Sequence, residues 1–289
     1  MESHACQWSV ELMAKVLRVS RSGYYRYLQA NPSRREQANQ VLLEQIRKVH
    51  QENRELYGSP RVHAALKQQG VTCGRHRVAR LMKKNNIRAK LPKSYTITTQ
   101  VNPALSVAKN LLDQDFSAGK PNEKWVSDIT YIKTREGWLY LAAILDLFSR
   151  KVVGMSMSST MTTELVTNAF NQAILHRHYP KEFIYHSDRG SQYASRKFQG
   201  LLKSHQVLIS MSGSGNCYDN AVMESFFHTL KTECVYLKEI YATRKEAEHD
   251  IFDYVETFYN PKRLHSTLSY LSPRAFETAY YQQKQPAMV

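Results

Sequence analysis

Apolar and polar positions follow two different rhythms along this chain. In the first third, apolar residues recur every three or four positions, the spacing of an amphipathic helix. Leu12, Met13, Val16 and Leu17 share one helical face. Ser20 is a suitable N-cap for a second helix running to Leu28, with Arg21 and Tyr24 near its start. Together they predict a small helix-turn-helix over residues 1–35. Leu42, Leu43, Ile46 and Val49 mark the next helix, which Tyr57-Gly-Ser-Pro-Arg61 breaks. Pro60 can open another, with Val62, Ala65 and Leu66 inward and Gly70 closing it. Val78, Leu81 and Met82 give a third helix its core face, completing a module at 36–94.

Residues 95–120 are Thr-rich, contain Asn102-Pro103 and lack strong periodicity, so they predict a linker. From Glu123 the rhythm changes to that of strands. Strands are expected at Trp125–Ile132, Trp138–Leu145 and Lys151–Met157, with a tight turn at Glu136-Gly137, forming an antiparallel meander. Leu165, Val166, Ala169, Phe170, Ala173 and Ile174 then return to helical spacing. Phe183–His186 predicts a fourth strand, Ser195–Leu202 a helix and Val207–Met211 a fifth strand. The Ser212–Asn216 loop leads into a helix bearing Glu224. This order predicts an α/β domain over 121–280, a mixed five-stranded sheet with flanking helices, followed by a tail at 281–289.

Charge sharpens the picture. The 289 residues carry a net charge of +15, and a field of that sign favours a polyanion, nucleic acid first. The excess is local: Arg75 to Lys93 holds eight Lys or Arg and no acid. Arg75, Arg77, Arg80, Lys83 and Lys84 lie opposite the apolar face of the third helix of the 36–94 module, where phosphate contact is expected. Arg21 and Tyr24 are candidate DNA contacts on the first helical pair. No apolar run is long enough for a membrane span, and the N-terminus lacks a signal-peptide pattern. The four cysteines are scattered, which argues against a disulfide frame or a zinc site and for a reducing cytoplasm.

Three acids carry the chemistry. Asp128 sits in a strand pattern, Asp188 follows a short strand before a Gly turn, and Glu224 sits in the first turns of a helix. Carboxylate oxygens suit hard divalent cations. Two such ions can clamp the attacking and leaving oxygens of a phosphoryl displacement. Asp146, in Leu145-Asp-Leu-Phe-Ser-Arg150, reads instead as a turn residue between the second and third strands.

The three acids, with 35 residues between Asp188 and Glu224, resemble the DDE triad of the retroviral-integrase and transposase superfamily. His186-Ser-Asp-Arg-Gly-Ser-Gln-Tyr193, Cys217-Tyr-Asp-Asn-Ala-Val-Met-Glu-Ser-Phe-Phe227 and Tyr259-Asn-Pro-Lys-Arg-Leu-His-Ser-Thr-Leu268 resemble the second-frame (orfB) product of a two-frame bacterial insertion sequence. The resemblance implies a ribonuclease-H-like core in which Asp128, Asp188 and Glu224 are both catalytic and metal-binding. The implied cofactor is two Mg2+ ions, with Mn2+ as a substitute. It further implies cleavage at DNA 3′ ends, strand transfer, and a nucleoid-associated protein. Its expected partners are double-stranded DNA, a second copy or higher oligomer, and the first-frame (orfA) product or a fusion with it. Lys231 and His228 share the helical face of Glu224 and are expected at the DNA end; Arg263 and His265 are further candidates. Two other readings stay open: a purely hydrolytic ribonuclease-H-type or junction nuclease, and a non-catalytic DNA-binding regulator with a decayed core.

Overall fold

The computed structural model describes residues 1–29, 31–90, 108–213 and 217–284. Half of the expected linker, the end of the basic stretch, part of the Ser212–Asn216 loop and the last residues of the tail lie outside them. Two short helices open the chain, α1 (Val10–Leu17), capped by Ser9, and α2 (Arg21–Gln29). Only Met13 and Ala14 of α1 are buried. Leu12, Val16 and Leu17 stay exposed, contrary to the single apolar face expected, because two short helices alone have no further layer to cover that face.

Helix α3 (Arg34–Glu52) starts at a capping box in which Ser33 and Glu36 each bond the other's backbone amide. Helices α4 (Ser59–Gln68) and α5 (Arg75–Lys84) complete a three-helix unit around Leu42, Ile46, Val49, Val62, Leu66, Val78, Leu81 and Met82. Gly70, with φ +80°, takes the left-handed backbone that ends α4.

The sheet has the order β3-β2-β1-β4-β5. Strands β1 (Lys124–Thr134), β2 (Gly137–Asp146) and β3 (Val152–Ser158) form the antiparallel meander. After helix α6 (Thr163–His176), β4 (Ile184–Ser187) pairs parallel with β1. Helices α7 (Ser191–Ala194) and α8 (Arg196–Ser204) then lead to β5 (Leu208–Met211), parallel to β4. The strand period of two splits the apolar residues between the faces. Trp125, Ala142, Ile144 and Val153 pack with α6 and α8. Val126, Ile132, Leu139, Leu141, Ala143 and Leu145 form the other face.

That second face is covered by α9 (Ala221–Glu233), which buries Met223, Phe226, Phe227 and Leu230, and by the C-terminal helices. Helix α10 (Arg244–Asp253) widens into a π-helical segment, Tyr254–Tyr259, before α11 (Pro273–Lys284). The α3–α5 unit shares this core. The Tyr57 hydroxyl accepts from Leu264 N at 2.9 Å and donates to Lys262 O at 3.2 Å. Arg54 reaches Asp253 and Thr257 at 2.8 and 2.7 Å. The basic helices are therefore docked on the sheet domain. Among the described residues no helix is long and apolar enough to cross a membrane.

Candidate active site

Strand register brings the first two acids together. Residues 124–127 of β1 pair in parallel with 184–187 of β4, the last pair being Ser127 with Ser187. Asp128 and Asp188 are the next residue on each strand, so they stand side by side where the parallel pair parts. Asp188 is held by Gly190, whose N–H donates to its Oδ1 at 2.9 Å. A Cβ on Gly190 would lie 3.0 Å from that oxygen, so a side chain here would crowd the carboxylate. Arg189 turns away from the pair, donating to Ser212 O at 2.6 Å. Ser127 and Tyr193 share a buried hydrogen bond of 2.8 Å beneath the site.

Helix α9 packs against β1 and carries Glu224 in its first turn, exposed to solvent. Asn220, at the start of the helix, donates from Nδ2 to Ser127 O at 3.4 Å and ties this end of α9 to the strand beside Asp128. Asp219 is buried and receives Gly213 N at 2.7 Å and Asn110 Nδ2 at 3.0 Å, closing the preceding loop. His186 is also buried, between Ser210 and Ser212, and burial pushes it down to about 4, so it is a neutral structural residue.

The electrostatics report the convergence. Burial pushes the Asp128 carboxyl up to about 8, and the charges of Asp188 and Glu224 push it in the same direction. The Ile129 amide, at 2.7 Å, and the Lys231 ammonium oppose them. Burial also raises Asp188. Two half-buried carboxyls thus stand together, with a third acid near enough to act on one of them, in an excess of negative charge. Hard oxygen donors in this imbalance suit a divalent cation. Among the described residues no three His, Cys, Asp or Glu side chains stand ready-made as a metal cage. The donor chemistry fits a divalent cation, which Asp128 and Asp188 would hold with the exposed Glu224 near enough to act on Asp128.

The remaining sequence candidates separate sharply. Lys231 is nearly buried, with its Nζ 5.1 Å from the Tyr131 ring centroid. His228 is exposed one turn from Glu224. Arg75, Arg80, Lys83 and Lys84 project from α5 into solvent, whereas Arg77 is half-buried and donates to Asn39 at 2.9 Å. Arg21 is exposed and pairs with Glu11 at 3.3 Å; Tyr24 is half-buried against Tyr25.

Arg263 and His265 require a correction. Arg263 is 5% exposed, and its Nε and Nη2 each donate to Glu233 at 2.7 Å. His265 lies edge-on to Tyr259, and burial and then Arg263 push it down to about 3, leaving it uncharged. Arg263 is thus committed to Glu233 rather than to a phosphate, and His265 packs against Tyr259. The surrounding motif is a clamp: Asn260 accepts from Val152 N and donates to Val152 O, each at 3.0 Å, and the Tyr259 hydroxyl donates to Arg150 O at 3.1 Å. Asp146, expected in a turn, ends β2 and is fully buried against Arg177. Sequence reasoning also passed over Glu233, which receives Arg61 at 3.2 Å as well as Arg263 and so joins α9 to the basic helical unit. An acid nine residues after Glu224 on the same helix was the one available signal.

A mixed sheet of this order, with two acids at parting parallel strands and a third on a covering helix, defines an integrase-type catalytic core. Comparison with known proteins agrees. Family profiles described as Integrase core domain match residues 118–217 and 224–280, and one described as HTH-like domain matches 36–95. The transposase InsF of insertion sequence IS3A from Escherichia coli K12 is 41% identical over 279 residues, 96% of each chain. An uncharacterized 31 kDa protein of insertion element IS600 from Shigella sonnei is 43% identical over 270 residues, 93% of this chain and 99% of that one. Among solved structures, a chain of a simian T-cell lymphotropic virus intasome aligns with TM-score 0.47 at 17% identity, covering 84% of this chain and 75% of that one. The catalytic core of HTLV-2 integrase, solved with magnesium, aligns with TM-score 0.43 at 20% identity, covering 55% and 98%. The chain belongs to the transposases of IS3-type insertion sequences, a family that catalyses DNA cleavage and strand transfer.

Proposed function

We propose that Asp128, Asp188 and Glu224 are the catalytic acids and hold two magnesium ions, for which manganese can substitute. The observation that carries this reading is the β1–β4 register, which sets Asp128 beside Asp188 with Glu224 close enough to raise its carboxyl. Bound there, the cations would supply charge to activate the attacking oxygen and stabilise the leaving one. The chain's own residues do the positioning. Gly190 fixes the Asp188 carboxylate, Asn220 ties α9 to β1, and Lys231 offsets part of the negative charge at Asp128. No Ser or Tyr nucleophile is assigned, because the transferred strand needs no covalent link to the protein.

DNA binding is divided between the two parts of the chain, a basic module at 36–94 and a catalytic domain at 121–280. Arg75, Arg80, Lys83 and Lys84 line the exposed face of α5 and would contact phosphates. Arg77, Arg21, Tyr24, His228 and Lys231 are secondary contacts, the first two already sharing protein partners. Two DNA ends have to be held for joining, so the working form is at least a dimer on DNA. The first-frame product, free or fused, completes end recognition. The site of action is the nucleoid in the bacterial cytoplasm.

The test supplies a pre-cut element end with a free 3′-hydroxyl, target DNA and magnesium. Joined product is expected from the wild type. Asp188→Asn should lower it at least about a thousandfold while leaving end binding in place. Hydrolysed product without joining would instead support a nuclease. Equal joining by Asp188→Asn would remove the acid from the mechanism.

A further inference from the structure

Beyond Ser127, β1 runs on past the end of β4. Among the described residues, its outer edge has no strand beside it from Asp128 until a single bridge between Thr134 and Tyr241. On one face of this stretch and of the neighbouring β2 stand Tyr131, Lys133 and Trp138; Lys133 is register partner to Trp138. Tyr131 is 39% exposed and Trp138 45%, unlike the buried Trp125 at the other end of β1. Their rings meet edge to face, centroids 5.1 Å apart at 84°. Single exposed aromatics are ordinary on protein surfaces. Three observations set this pair apart. The rings touch each other, Lys133 stands exposed beside them, and Lys231 of α9 lies against the Tyr131 ring. The Lys231 ammonium lies 5.1 Å from the Tyr131 ring, and its charge is felt at Asp128.

Aromatic faces interleaved with cations are the chemistry that binds unpaired bases, each ring taking a base and each cation a neighbouring phosphate. A base pulled from the duplex beside the reacting phosphate exposes the backbone to the acids and needs a surface to cover it. We propose that Tyr131 and Trp138 form a stacking platform for an unpaired DNA base adjacent to the bond being cut or joined, with Lys133 and Lys231 flanking it. The platform belongs to the DNA-joining site described above and rests on that reading. It gives the site a preference for ends whose terminal pairs have opened.

The test compares a blunt duplex with one ending in a short single-stranded tail that carries a fluorescent adenine analogue. Both are titrated with the full chain without magnesium, so that no chemistry intervenes. The wild type should bind the tailed end about tenfold more tightly and quench the analogue. In Trp138→Ala and in Tyr131→Ala the ratio of the two affinities should fall to about one, while Trp138→Phe keeps most of the preference. Melting curves verify folding, and Trp138→Gln replaces the alanine variant if that one melts early. An equal preference in the wild type and in a folded Trp138 variant overturns the proposal, as does a wild type that binds both ends alike. The joining assay is read separately. A tail preference that depends on Trp138 in a chain that never joins DNA sustains the platform and sinks the joining reading; joining without any tail preference does the reverse.

Discussion

Two acid clusters lie in the same domain and have opposite meanings. Asp146 and Glu277 converge on Arg177, whose Nη2 bonds Asp146 and lies 2.6 Å from Glu277 Oε1. Both acids have further protein partners. Asp146 accepts Asn122 N at 2.8 Å and Phe148 N at 2.9 Å, and Glu277 accepts Ser149 at 2.7 Å and Lys151 at 3.1 Å. Burial still pushes the Asp146 carboxyl up, with Arg177 and the two amides pulling back; Glu277 ends below its ordinary value because Arg177 and Lys151 outweigh its burial. Asp128 differs in kind. The groups around it include two further carboxylates that raise it, and Lys231 is the cation that opposes them. The first cluster is satisfied by the protein and ties α11 to β2 and α6. In the second, Lys231 opposes the crowding of negative charge at Asp128 without reversing it. Excess charge, rather than burial or acidity, separates the open cluster from the closed one.

Breaking the closed cluster should give the largest effect on folding. Arg177→Met leaves two acids buried without their guanidinium and should cost about 3–5 kcal/mol in urea unfolding, with no relief from magnesium. Stability near that of the wild type would show that the cluster is dispensable. The open cluster should respond in the opposite sense to metal. Saturating magnesium should stabilise the wild type by about 2–3 kcal/mol at a hundredfold excess over the dissociation constant, and Asp188→Asn should lose most of that gain. Equal gains in both proteins would place the cation elsewhere.

A smaller perturbation crowds the open cluster without removing a charge. Gly190→Ala should lower strand joining about tenfold with the melting temperature nearly unchanged, because the added carbon presses on the Asp188 carboxylate. Unaltered joining would mean that the carboxylate can shift without penalty. The smallest effect is a pH dependence. The folded protein holds the Asp128 carboxyl near 8, above the ordinary value of about 4 for an unfolded chain. The native state therefore binds this proton more tightly, and the metal-free protein loses stability as pH rises from about 4 to about 8. Asp128→Asn removes the ionisation, so the metal-free variant should gain stability over the wild type at pH 9 and much less at pH 5, measured by denaturant titration. A gain that is flat with pH would contradict the crowding of charge at this site.

Arg263 illustrates why part of the site was not legible beforehand. In sequence it is a cation in a basic protein, next to His265 and after a Pro, and phosphate contact is a reasonable expectation. In the fold its guanidinium is closed on Glu233 beside the Tyr254 hydroxyl, which itself donates to Glu233 at 2.8 Å. The opposite holds for Lys84 and Arg80, whose exposure followed from their position across α5 from Val78 and Leu81. A helical period tells which face a residue takes, but not whether that face meets water or another domain. The exposed Leu12, Val16 and Leu17 show the same limit from the apolar side.

The sequence by itself determined the five strands and helices α6, α8 and α9 of the catalytic domain, because apolar runs of strand length and helical spacing each leave few backbone choices, whereas α10, the π-helical segment and α11 were not read from it. It also determined which acids were worth suspecting, through their placement at strand ends and in a first helical turn. Only the tertiary structure decided that Asp128 and Asp188 are neighbours, that Asp146 is neutralised and that Arg263 is sealed inside. Adjacency and charge balance are set by strand register and by partners far along the chain, and local periodicity contains neither.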